Sequence, residues 1–235
     1  MNLILLYEKD FINNDKVELS GERYKYIRNI HKPEIDESLK VGLLNGKIGI
    51  GRVIKIDNKS ILMDVILNEE PPLEIPITLI IALPRPKVFR RIIQSITTIG
   101  IKKIYIINAF RVEKSYWQSP FLKSDAIKEN LKTGLSQAVD TIEPEIFKRK
   151  YFKPFVEDEL ENISNDSLKV VAHPNGKNIF GNDVKKTTLV IGPEGGFIEY
   201  ELNKLKTIGF DVVGMGKRVL KVETAIPFIL SKFTG

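Results

Sequence analysis

The apolar run Leu189-Val190-Ile191 leads into Gly192-Pro193-Glu194-Gly195-Gly196, three glycines in five positions. Further on, Phe210 to Val213 leads into a second bare turn, Gly214-Met215-Gly216. Glycine turns of this kind leave main-chain N–H and C=O groups open to a ligand, because no Cβ stands in the way. The chemistry they suit is the holding of a small molecule by backbone contacts. The same glycines would also serve plain tight turns, or an anion nest for a phosphate. Neither G-x-G-x-x-G nor G-x-x-x-x-G-K-[ST] is present, so the dinucleotide and P-loop fingerprints do not apply.

The elements that must position these turns are legible around them. Leu189 to Ile191 reads as a short buried strand. Leu202, Leu205 and Ile208 fall on one helical face, and Gly209 stands where such a helix stops. Phe210 to Val213 reads as a second strand, and another helix starts near Thr224. Strand, turn, helix repeated twice predicts an α/β arrangement with parallel strands. Both glycine turns then fall at strand C-terminal ends, where open α/β sheets bind ligands.

GPEGG followed by MGKRVLKVETA closely resembles the C-terminal signature of the RsmE-type rRNA methyltransferases, members of the SPOUT superfamily. The family's second motif is usually LGxRILRxETA. Gly216, Arg218, Leu220, Glu223, Thr224 and Ala225 match it, while Met215, Val219 and Lys221 are substitutions. His173-Pro174 resembles the turn that walls the family's cofactor pocket. The resemblance covers the whole chain but is strong over roughly residues 171–226. It implies a trefoil-knotted parallel-sheet domain over 77–235 and a PUA-like RNA-binding β-barrel over 1–70. It also implies S-adenosylmethionine as cofactor, held by His173, Pro174, Ile191, Gly192, Pro193, Glu194, Gly195, Gly196, Met215, Gly216, Val219, Leu220, Thr224 and Ala225.

The implied reaction is methyl transfer to ring nitrogen 3 of a uridine in 16S rRNA, in the assembled 30S subunit, by a homodimer. Arg218 and Glu223 are the catalytic candidates. Arg218 stays charged and presents a planar fork of donors. Glu223 either carries a proton or braces the following helix, and Glu194 either orients its loop or pairs with Arg218. Two other readings stay open: a non-catalytic RNA-binding protein of the same fold, and an α/β enzyme that binds a nucleotide or phosphate. The chain also departs from the family. In IIQKxTELG, Ser95 replaces the Lys and Thr98 the Glu; in EQSxR, Ser136 replaces the Glu and Asp140 the Arg. The replaced positions lie outside the cofactor motifs, on what would be the RNA side.

The first 70 residues read as β-rich. Leu3 to Leu6 is a strand, Tyr24 to Ile30 a short helix, and Val41 to Leu44 with Ile48 to Ile56 a hairpin about Asn45-Gly46. Ser60 to Leu67 is a further strand, and five or six strands would close a small barrel. LKVGLLNG resembles the family's barrel hairpin, and Arg28 matches the first Arg of its RVLR, with His31 in place of the second. Asn68 to Pro76, with Glu69-Glu70-Pro71-Pro72 inside, is the linker.

Beyond it, Ile77 to Leu83 and Ile104 to Asn108 read as buried strands. Val88 to Ile99 and Asp125 to Val139 read as helices, the latter ended by Glu143-Pro144. A short helix near Val156 to Ile163 precedes the strand Lys169 to Ala172 and a turn over His173 to Gly176. Asn182 to Lys186 is a polar link.

The 235 residues carry a net charge of +6. Residues 85–150 hold 14 basic and 6 acidic side chains, an excess of +8. A basic segment suits a polyanion such as RNA, though a solvated lysine-rich surface reads the same way. Arg23, Arg28, Arg85, Lys87, Arg90, Arg111 and Lys114 are the candidate RNA contacts. Trp117 and Tyr116 among them suit base stacking or ordinary packing. There are no cysteines and two histidines, so neither disulfides nor a structural zinc is expected. No run of eighteen apolar residues and no signal-peptide pattern is present, so a cytoplasmic protein is expected.

Overall fold

A computed structural model describes residues 2–178 and 185–233. Of the polar link, residues 182–184 lie outside the described residues, while Lys185 and Lys186 are exposed. The chain packs as two compact units, Met1–Leu73 with Leu135–Glu143, and Glu74–Gly134 with Pro144–Gly235.

The first unit is a curled, half-barrel sheet of five strands. They are β1 (Ile4–Leu6), β2 (Lys16–Ser20), β3 (Ser38–Leu43), β4 (Ile48–Ile56) and β5 (Ser60–Glu69), in the order β1-β3-β4-β5-β2. The β3–β4 hairpin forms where Asn45-Gly46 predicts it, with Asn45 in left-handed backbone at φ 58°. The expected helix is α1 (Gly21–Tyr26), continued by a single wider turn over Ile27–His31. Alternation buries Val17, Leu39, Val41, Val53, Ile61 and Met63 in one core. Segment 135–143 joins this unit from far along the chain. Leu135 is buried with Leu3, Leu5 and Ile48, and Leu3 donates its N–H to the Ser136 carbonyl at 2.9 Å.

The second unit holds six parallel strands in the order β11-β9-β10-β6-β7-β8. In chain order its elements are β6 (Ile75–Ala82), α2 (Pro86–Ile99), β7 (Ile101–Ile107), α3 (Ser124–Ala138), β8 (Glu145–Arg149), α4 (Phe152–Pro154), α5 (Leu160–Ile163), β9 (Leu168–Asn178), β10 (Thr187–Ile191), α6 (Glu199–Thr207), β11 (Asp211–Gly214) and α7 (Val222–Leu230). The central strands are buried on both faces, hence their continuous apolar runs. Helix α2 buries Phe89, Ile92, Ile93 and Ile96 at helical spacing. At the C-terminus Ile229, Leu230 and Phe233 lie in this unit's own core, and Phe228 is exposed.

Several sequence expectations are corrected. β5 runs through Glu69 and β6 starts at Ile75, so the connection is shorter than Asn68–Pro76. β2 and β8, neither of them expected, pair along β5 and β7. Helix α3 ends at Ala138, before Glu143-Pro144, where Val139 takes left-handed backbone at φ 54°. The helix expected near Val156–Ile163 is broken into α4, a wide turn over Phe155–Glu159, and α5. The turn expected at His173–Gly176 is instead part of an 11-residue strand, β9. Consecutive residues of β11, Val212 and Val213, face Val171 and Lys177 of β9, so residues 172–176 bulge out between them. Pro174 has no N–H to give a ladder, which fits a bulge.

Candidate functional site

The bulge of β9, the glycine turn after β10 and the segment between β11 and α7 enclose a cleft at the strand C-terminal ends. Ala172, His173 and Pro174 form one wall. Ile191, Gly192, Pro193, Glu194, Gly196 and Phe197 form the floor turn, and Met215, Arg218, Val219, Leu220, Val222 and Ala225 the far side. Among the expected cofactor residues, Gly195, Gly216 and Thr224 do not line it, and the other eleven do. Ala172, Phe197 and Val222 line it unexpectedly; their only sequence signal is an apolar type beside a motif residue.

Two glycines are required by the turns. Gly196 and Gly216 have φ of 72° and 93°, where a side chain is strained. A Cβ built on either would meet no atom within 4 Å, so each turn borders open space where a side chain would stand. Apolar walls beside bare main chain suit a flat heterocycle with a polar tail. Burial, and then the Lys206 ammonium, hold the pKa of His173 below the ordinary 6.5, and its Nδ1 accepts the Asn175 N–H at 3.3 Å.

The glycine turn is fastened from outside. Glu194 accepts the Arg85 N–H at 3.0 Å, at the start of α2. Its carboxylate therefore orients the loop, the first of its two expected roles. The Arg111 guanidinium donates to the Gly195 carbonyl. Glu201 is 3 % exposed and accepts two main-chain N–H groups, from Phe110 at 2.7 Å and from Ile198 at 3.0 Å. Nothing in the sequence distinguished Glu201 from a solvated helix residue. Its carboxylate bonds the loop after β7 to the first turn of α6. Glu201→Ala would leave two donors unpaired, an expected loss of about 1–3 kcal/mol in unfolding free energy. Urea denaturation measures this, and Glu201→Gln, which keeps one acceptor oxygen, should recover part of it.

Arg218 is exposed, lines the cleft, and makes no ion pair or hydrogen bond among the described residues. Glu223 sits in the first turn of α7 and does not line the cleft. A carboxylate there complements the helix N-terminus. Of the RNA candidates, Arg28, Arg85, Lys87, Arg90 and Lys114 are exposed. Arg23 is committed inside its own unit: its Nη1 bonds both Asp10 oxygens, at 2.8 and 2.7 Å, and its Nη2 the Leu5 carbonyl. Arg111 is exposed as well, with one guanidinium nitrogen bonded to the Gly195 carbonyl. Trp117 packs against the core and donates its indole N–H to Asn108 at 2.9 Å, which is the packing role. At the departures from the family motif, Thr98 bonds the Gln94 and Gly134 carbonyls and buried Asp140 accepts the Ile142 N–H. Both residues therefore hold local structure. Among the described residues no cluster of three or more His, Asp or Glu could hold a metal, and no helix is long and apolar enough to cross a membrane.

The larger unit is a parallel α/β sheet with a glycine-walled cleft at its strand C-terminal ends, and the smaller is a five-stranded β unit. The description of the RNA methyltransferase domain family matches residues 70–234, and the chain belongs to that family. Similar proteins include the ribosomal RNA small subunit methyltransferase E of Treponema pallidum, 28% identical, covering 96% of this chain and 87% of that one. Another is ribosomal RNA small subunit methyltransferase E 1 of Borreliella burgdorferi, 27% identical over 96% of this chain and 94% of its own. The fold matches the crystal structure of a ribosomal RNA small subunit methyltransferase E from Neisseria gonorrhoeae bound to S-adenosyl methionine. The TM-score is 0.74 at 18% identity, over 98% of this chain and 95% of that one.

Proposed function

We propose that this chain transfers a methyl group from S-adenosylmethionine to ring nitrogen 3 of a uridine in small-subunit rRNA. The observation that carries the proposal is the cleft. It gathers eleven of the expected cofactor residues and Arg218 around two left-handed glycine turns. Ile191, Phe197, Met215 and Leu220 would hold the adenosine by apolar contact, and the bare turns would meet polar edges. When bound, the cofactor supplies an activated methyl group; displacement at such a carbon needs alignment more than covalent help. Arg218 would stabilise negative charge on the uracil oxygens as the imino proton leaves. Glu194, Arg111 and Glu201 keep the floor turn in place. The relatives' names support small-subunit rRNA as the substrate; a homodimer with a trefoil-knotted domain, acting on the assembled 30S subunit in the cytoplasm, belongs to the same proposal and rests on the motif resemblance.

The test is transfer of labelled methyl groups onto purified 30S subunits and onto naked rRNA, with the modified base identified by mass spectrometry. Methylated N3-uridine in small-subunit rRNA is the expected product. RNA binding without transfer would instead mark a non-catalytic binder. Tight binding of free phosphate without S-adenosylhomocysteine binding would mark an anion nest.

Affinity for rRNA is expected to fall steeply with salt, since each phosphate neutralised releases counterions. Charge reversal at Arg85, Lys87 or Arg90 should lower affinity and flatten the salt slope by about one unit per site. Filter binding across a salt series measures both. A slope unchanged in all three variants would leave this surface as plain solvated charge.

A further inference from the structure

At the C-terminal ends of β7 and β8 two aromatic rings stand in solvent. Phe110 is 76% exposed and Tyr151 74%. Solvent exposure of a phenylalanine ring is costly, and a mobile loop tip would tolerate it most easily. Phe110 is not on such a tip. Its neighbours Ala109 and Val112 are buried, its own N–H is bonded at 2.7 Å to the buried carboxylate of Glu201, and the next residue, Arg111, is bonded to Gly195. The backbone is fastened on both sides and the ring is left out. The strands that end here are hydrogen-bonded neighbours, with the Asn108 N–H on the Arg149 carbonyl at 3.0 Å. Tyr151 thus leaves the sheet at the same edge as Phe110. Exposed Lys114 and Lys150 lie within a few residues of these rings in the chain.

We propose that Phe110 is a stacking platform for an unpaired base of the RNA, beside the nucleotide that enters the cleft. A ring held by a fixed backbone gives contact area without an ordering cost, as rigid aromatic anchors do at binding surfaces. The exposed cations Arg111, Lys114 and Lys150 flanking the rings favour a phosphodiester chain over an apolar peptide or a second copy of this face. The link from Arg111 to Gly195 makes the platform continuous with the glycine turn of the cleft. The inference rests on the RNA methyltransferase reading and adds to it the residue that would receive a neighbouring base.

The experiment uses the full chain and a twelve-nucleotide single-stranded oligouridine carrying one 2-aminopurine, at fixed salt. Phe110→Ala is expected to weaken binding about 5- to 150-fold, the range for losing one base–aromatic stack. It should also reduce quenching of the 2-aminopurine, with S-adenosylhomocysteine affinity unchanged. Phe110→Trp should restore both, and Phe110→Leu, equally apolar but without a π face, should restore neither. Binding by the Ala or Leu variant equal to wild type overturns the platform while leaving methyl transfer by the wild type intact. A change of mass by light scattering in Phe110→Ala overturns it in favour of a contact between copies. A wild-type chain that neither binds this RNA nor methylates 30S subunits overturns the platform together with the methyltransferase reading.

Discussion

Arg218→Ala is expected to lower methyl transfer by about 10²–10³-fold, the usual loss when one preorganised donor to a developing oxyanion is removed. Affinity for S-adenosylhomocysteine should stay within a small factor. The expectation comes from where the guanidinium lies. It lines the cleft and is exposed, and it is not drawn into the network that holds the floor turn. The carboxylates that might have braced it are placed otherwise: Glu194 is bonded to the Arg85 N–H, and Glu223 sits in the first turn of α7. A cation at this place favours the deprotonated uracil, whose charge spreads over two carbonyl oxygens. Arg218→Lys should recover little, since one ammonium does not reproduce a planar fork of donors. Single-turnover rates with saturating cofactor read the effect, beside a thermal melt. A variant that loses melting temperature and cofactor affinity along with its rate would mark Arg218 as a brace of the loop.

Gly216→Val is expected to weaken S-adenosylhomocysteine binding by about 5- to 150-fold, by isothermal titration, with the β3–β4 hairpin unit still folded. Gly216 has φ of 93°, and a β-branched residue there costs on the order of 1–3 kcal/mol, roughly 5- to 150-fold if relieved by moving the turn. The new side chain would also fill space that is now open, since no atom lies within 4 Å of the Cβ position. Gly195 differs, although its type and motif position put it beside Gly216. A Cβ on Gly195 would stand 2.9 Å from Cδ of Arg111, an adjustable side chain. Gly195→Val should therefore act through Arg111 and cost less than Gly216→Val. Equal, unchanged affinity in both variants would remove the glycine turns from the cofactor site.

Local patterns determined much of this protein. Continuous apolar runs such as Ile77 to Leu83 specify buried parallel strands, because only a strand covered on both faces tolerates them. Asn45-Gly46 specifies a hairpin, and the spacing of Phe89, Ile92, Ile93 and Ile96 a helix with one buried stripe. The glycine turns and the residues between Met215 and Ala225 located most of the cleft, since close approach of a ligand to backbone restricts residue type within a short stretch. Partnership across the chain was beyond such patterns. His173–Gly176 has the composition of a turn, yet β11 pairs with the residues on either side of it, Val171 and Lys177, and makes it the bulge of a long strand. Strand β8 has too little alternation to declare itself and is held by its ladder to β7. Segment 135–143 belongs with residues more than ninety positions earlier through the Thr141–Gly46 and Glu143–Asn45 bonds. Arg23 reads as a surface cation until Asp10 is brought to it, and Arg111, although exposed, has its guanidinium bonded to Gly195. Glu201 reads as one more helix carboxylate until the Phe110 N–H arrives from 91 residues away. A charge's composition tells its sign, and only tertiary contact decides whether its donors are spent inside the protein or remain for a ligand.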